Sequence, residues 1–136
     1  MAERRTGAVR DVGVGGAYVV AQRIRDVSGS TSCDAVAGAL AGGRESQETV
    51  SHAPGQPVFT LVSRGVKGTL DRDGQFVSEP LAGTTNHVNW RFVMRGRFGP
   101  DGFTGESVTH TDAILRWGKI QTCVVTADLI GQRQQN

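Results

Sequence analysis

Val66-Lys67-Gly68-Thr69-Leu70-Asp71-Arg72-Asp73-Gly74-Gln75-Phe76 returns in degenerate form as Met94-Arg95-Gly96-Arg97-Phe98-Gly99-Pro100-Asp101-Gly102-Phe103. Each copy reads as a strand, a Gly-rich reversal containing Asp-Gly, and a second strand that opens with Phe. Asp-Gly supplies the positive φ that tight hairpin turns use, and it is the strongest short-range hairpin signal. Two such hairpins predict an antiparallel β meander.

Working outward, the same strand pattern recurs along the chain. Tyr18, Val20, Gln22 and Ile24 alternate with Ala17, Val19, Ala21, Arg23 and Arg25. Eight strands are expected: Gly16–Val27, Ser46–His52, Val58–Ser63, Val66–Leu70, Gln75–Glu79, Val88–Phe98, Gly102–Ile114 and Lys119–Gly131. Their short, regular spacing belongs to all-β barrels and sandwiches. An up-and-down barrel is the simplest closure, because it removes the exposed strand edges that invite aggregation. A two-sheet sandwich is the alternative.

The totals agree with that class. At 136 residues the chain is one domain, burying roughly two-thirds of the surface an unfolded chain exposes. Residues 1–14 read as an N-terminal arm, 15–132 as the barrel domain and 133–136 as a polar tail. Nineteen glycines beside four prolines suit a turn-rich β protein and not a disordered chain. Residues 28–45 are Ala- and Gly-rich and are expected to form a loop with a short helical turn. A net charge of +2 provides no whole-molecule field for nucleic acid or membrane. No apolar run reaches the roughly 20 residues that span a bilayer.

In a closed barrel the first and last strands are neighbours. Cys33 follows the first and Cys123 lies in the last, so a disulfide between them is expected, the alternative being two buried thiols. Such a bond favours an extracytoplasmic location, a cytoplasmic one being the alternative, since the opening residues carry no apolar signal core.

The layout resembles the lipocalin- and avidin-like barrels, the calycins, over about residues 16–132, in strand count and hairpin style. The Gly-x-Trp start motif of lipocalins and the biotin-site pattern of avidins are absent. The resemblance implies a small barrel with a habit of binding small ligands.

Strand faces sharpen that expectation. Val88, Trp90, Phe92, Met94, Gly96 and Phe98 share one face, opposite the row Asn89, Arg91, Val93, Arg95 and Arg97. Across the hairpin, Phe103, Gly105, Ser107, Thr109 and Thr111 share a face. An interior that sets bulky rings against small hydroxyl residues is what a ligand cavity needs. Gln22 falls inside by parity with Tyr18 and Val20. The candidate ligand-binding residues are therefore Tyr18, Gln22, Trp90, Phe92, Met94, Ser107 and Thr109. The competing explanation is that Gln22 and the hydroxyls satisfy one another or bind buried water. A bulge near Gly102 or Gly105 would instead turn Glu106, Val108, His110 and Asp112 inward.

Catalytic signals are weak. His110 and Asp112 lie two apart on one strand, with His87 toward the same end, but a metal site needs further ligands. Simple register sets His110 opposite Arg91 and Glu106 opposite Arg95, which reads as surface pairing. The outer row Arg91, Arg95 and Arg97, with Lys67 and Arg64, lacks the aromatic platform that nucleic acid would want. Gly13-Val14-Gly15-Gly16 precedes a strand and so fails the phosphate-loop context. No metal, cofactor or nucleic acid is expected. Three functions remain: a binding module for a small apolar molecule, a cofactor-free cyclase or isomerase using Tyr18, Gln22 or His110, and a structural subunit, including a homo-oligomer.

Overall fold

A computed structural model describes residues 8–29, 33, 44–85, 88–114 and 120–134. Nine strands follow a short helix, α1 (Val9–Val12): β1 (Gly16–Gly29), β2 (Arg44–Ser51), β3 (Val58–Leu61), β4 (Val66–Leu70), β5 (Gln75–Ser78), β6 (Leu81–Thr85), β7 (Val88–Phe98), β8 (Gly102–Ile114) and β9 (Ile120–Arg133). All pairings are antiparallel, in the order β5-β4-β3-β2-β1-β9-β8-β7-β6, and a further β5–β7 pairing closes eight strands into a ring. The fold is an up-and-down barrel, as the hairpin pattern predicts. Most of the segment 28–45 lies outside the described residues.

The hairpins differ in how they turn. In the first, Gly74 has φ +94°, and the Asp71 carboxylate accepts from the N–H of Asp73 and of Gln75 at 2.9 Å each. In the second, Gly99 N–H donates to Gly102 O at 2.7 Å, so Pro100 and Asp101 form the turn and Gly102 already belongs to β8. There the reversal rests on the fixed φ of proline at the first central position, and not on the Asp-Gly glycine. The register from the second turn is as expected: Arg91 faces His110 and Arg95 faces Glu106.

The sequence reading lacks β6. It continues the line of β5 along β7, and the register steps by one residue between Val77↔Arg95 and Leu81↔Phe92. Pro80 sits in that break, where it has no N–H to give. The buried Ser78 hydroxyl accepts from Met94 N–H at 2.8 Å, replacing the ladder bond that the interruption removes.

Inside, five rings fill one end of the barrel: Tyr18, Phe59, Phe76, Phe98 and Phe103, with centroids 4.9–6.0 Å apart. Glycines directly across the ladder make room for several of them. Phe59 faces Gly68, Phe76 faces Gly96 and Phe103 faces Gly131. A Cβ on Gly68 would stand 2.5 Å from the Phe59 ring, and one on Gly131 would stand 2.0 Å from the Phe103 ring.

The stretch 8–14, expected as part of an arm, packs across this end. Val14 is fully buried and its N–H donates to His52 Nδ1 at 3.1 Å. His52 Nε2 in turn lies 2.8 Å from Gln56 O, a geometry in which Nδ1 accepts from Val14 and Nε2–H donates to Gln56 O. Arg133, the last residue of β9, donates to Gly13 O and to the Tyr18 hydroxyl.

Candidate functional site

The barrel walls are uneven. Strands β1, β7, β8 and β9 run for 11 to 14 residues, whereas β3, β4 and β5 run for 4 or 5. Above the aromatic plug, where the short wall ends, a pocket opens between β1, β2, the β3–β4 turn and β7. Val20, Leu61, Met94 and Leu129 give it an apolar wall, with Phe103 below. Three polar or aromatic groups stand above them: Gln22 on β1, Phe92 on β7 and Glu48 on β2. Arg64, in the turn after β3, crosses the opening. The free space among these side chains is about 10 Å3, room for about one water centre.

Glu48 is the chemical surprise. It is the cross-strand partner of Tyr18, points inward, and is only 7% exposed. Burying a carboxylate is costly unless it is paired. Its partner is Arg64, whose Nε donates to Glu48 Oε1 at 3.3 Å. The same guanidinium lies 5.6 Å from the Phe92 ring centroid, within cation–π range. Arg64, read with the outer cations from sequence, therefore faces the pocket. Parity would have found Glu48, since Val50 sits two residues on in the same strand. A glutamate in a strand is otherwise assigned to the solvated face.

Of the seven expected ligand residues, Gln22, Phe92 and Met94 line the pocket. Tyr18 does not. It is fully buried in the plug, where its hydroxyl donates to Val14 O at 2.6 Å and accepts from Arg133 Nη2 at 3.0 Å. Burial pushes its pKa up, and the Arg133 hydrogen bond opposes that rise. Ser107 is buried opposite Met94, and Thr109 is half-buried opposite Phe92 on the same inner face. Trp90 stands higher on that face, with its ring against Gly83 of β6.

The other candidates lie outside the barrel. Glu106 pairs with Arg25 and with Arg95 (2.7 Å), and Arg25 also holds Asp128 at 2.7 Å. Those contacts, with Arg25 the larger cause, hold the Glu106 carboxyl below its usual range. The inward parity for Glu106, His110 and Asp112 is thereby excluded, since Ser107 takes the interior. Asp112 accepts from Thr122 at 2.6 Å, and no group of three metal-ligating side chains occurs among the described residues. His87 lies outside the described residues.

Cys33 and Cys123 form a disulfide, with Cα atoms 5.7 Å apart and a sequence separation of 90. Cys33 is thereby fixed to β9, next to β1. No helix among the described residues is long and apolar enough to cross a membrane.

Searches of protein-family models, curated proteins and solved structures give no match to this chain. What is established is the class: an all-β, disulfide-bonded antiparallel barrel with an aromatic plug at one end and a polar-topped apolar pocket above it.

Proposed function

We propose that the protein is a binding module that takes one small, mostly apolar molecule into the pocket above the plug. One observation carries the reading: an inward-facing apolar wall topped by a buried carboxylate and an amide, Glu48 and Gln22, at the point where the short side of the barrel stops. Pockets with apolar linings and a few convergent polar groups are the usual form of small-molecule sites. The pocket is narrow as it stands, so a ligand enters only if Arg64 turns outward. Arg64 belongs to a surface turn and its side chain is 37% exposed, which makes it the least constrained wall. The resemblance to calycins supports the same reading, and the disulfide is compatible with an oxidising, extracytoplasmic setting for such a module.

Binding is favoured over turnover for a specific reason. The cyclase or isomerase alternative relied on Tyr18, Gln22 or His110. The Tyr18 hydroxyl is committed within the plug, and His110 sits on the outward row opposite Arg91. Gln22 alone reaches the pocket.

Native mass spectrometry of the protein purified without reductant tests the proposal. The expected spectrum shows a fraction of chains carrying a single added small mass that is lost on denaturation. A ligand-free spectrum that persists after incubation with a mixture of small apolar compounds would overturn it.

A further inference from the structure

We propose that the pocket selects an apolar molecule bearing a cationic head, an ammonium or guanidinium, and that Arg64 occupies the place of that head when no ligand is bound. The inference rests on the reading that the barrel binds a small molecule, and it adds the class of the ligand.

Three observations lead to it. Glu48 is buried, and Arg64 is its only partner among the described residues, through one hydrogen bond of 3.3 Å to one of its two oxygens. The same guanidinium lies over the face of Phe92. A carboxylate and an aromatic face around one positive group is the arrangement that recognises ligand cations. Finally, Arg64 is held from a tight turn, where its N–H donates to Leu61 O at 3.2 Å and the next residue, Gly65, has φ +66°. The head group is thus offered from a surface turn, on a side chain that is 37% exposed.

Charge then decides the class. If Arg64 leaves and nothing positive replaces it, Glu48 remains as a buried charge without a counter-ion, which is strongly unfavourable. A neutral alcohol satisfies a hydrogen bond but not the charge, and a carboxylate adds repulsion. A cationic head restores both contacts. Gln22 lines the same pocket, and its amide carries an oxygen that can accept from a second N–H of that head, while the apolar body would rest on Val20, Leu61, Met94 and Leu129. Met94 is suited to this because an unbranched thioether adapts to irregular shapes.

A set of ligands sharing one ring system isolates the head: naphthylmethylammonium, naphthol, naphthalene and naphthoate, compared by equilibrium dialysis at neutral pH. The ammonium is expected to bind about tenfold or more tighter than naphthol or naphthalene, with naphthoate weakest. Arg64→Ala removes the internal competitor and is expected to tighten the ammonium by a further factor of about ten. Arg64→Met serves the same purpose if the alanine variant melts early. Glu48→Gln is expected to erase the preference for the ammonium over naphthalene. If naphthalene binds but the ammonium gains nothing over it, or if Glu48→Gln keeps the preference, the ligand class is wrong and the pocket stands. If none of the four binds the wild type or either Arg64 variant, both the pocket reading and the ligand class fall.

Discussion

Tyr18 is the only tyrosine in the chain, so phenolate absorbance reports one known site. Burial raises its pKa and Arg133 only partly offsets this. Because the folded state holds the phenolic proton more tightly than the unfolded state does, the associated stability is complete below the ordinary tyrosine pKa of about 10. It is lost as pH rises through the folded value. The phenolate signal of the native protein is expected to emerge at higher pH than that of the same chain in denaturant; coincident curves would place Tyr18 in solvent. Tyr18→Phe leaves Val14 O and the Arg133 guanidinium without their shared partner and is expected to cost about 1–3 kcal/mol in a denaturant titration. At this scale parity placed Gln22, Phe92 and Met94 on the inner face, where all three line the pocket. It could not separate Tyr18 from the pocket, because inward-facing residues at different heights share one parity. Glu48 was passed over, although its parity with Val50 points it inward, because a charged residue in a strand is normally assigned to the solvated face.

Between strands, glycine and aromatic residues act as a unit. The first-copy glycine Gly68 and the second-copy glycine Gly96 each lie opposite a phenylalanine, and Gly131 lies under Phe103. The repeat announced the strands and turns; the role of its glycines as ring seats needed the register. Gly131→Ala would drive a methyl group into the Phe103 ring and is expected to destabilise the fold by about 1–3 kcal/mol, the usual cost of overpacking. An unchanged thermal midpoint would show that the ring moves freely. The β7–β8 hairpin was legible because eleven residues alternate cleanly. Strand β6 was not, because Leu81-Ala82-Gly83-Thr84-Thr85 is short, weakly patterned and preceded by Pro80. On the outer face, Arg25, Asp128, Glu106 and Arg95 link four adjacent strands, β1, β9, β8 and β7. Since Glu106 titrates below its ordinary range when folded, its contribution is present above that range and fades as pH falls through the depressed value. Glu106→Gln should therefore lower stability at neutral pH by under about 1 kcal/mol. The difference from wild type should close in acid and in high salt.

For the molecule as a whole, closure was predictable and its asymmetry was not. Eight evenly spaced strands imply a ring, but the short strands β3, β4 and β5 beside the long β1 and β9 create the step in which the pocket lies. The disulfide was expected from closure, which makes the first and last strands neighbours, and it is present in place of two unpaired thiols. Replacing Cys33 and Cys123 by serine should reduce stability by about 2–4 kcal/mol, as expected when a long loop loses its cross-link. That corresponds to a fall in melting temperature of roughly 10 °C. Equal melting curves for the native and reduced proteins would mean that the barrel does not depend on the bond. The central claim, that the pocket above the plug holds a small molecule, is tested most directly by titrating an apolar fluorophore, in neutral and in ammonium-bearing form, into the wild type and into Gln22→Phe, which fills the pocket from its rim. Saturable binding of one fluorophore per chain, lost in Gln22→Phe with the melting curve retained, is the predicted result. Absence of saturable binding of either form in the wild type, or equal binding in the filled variant, would contradict it.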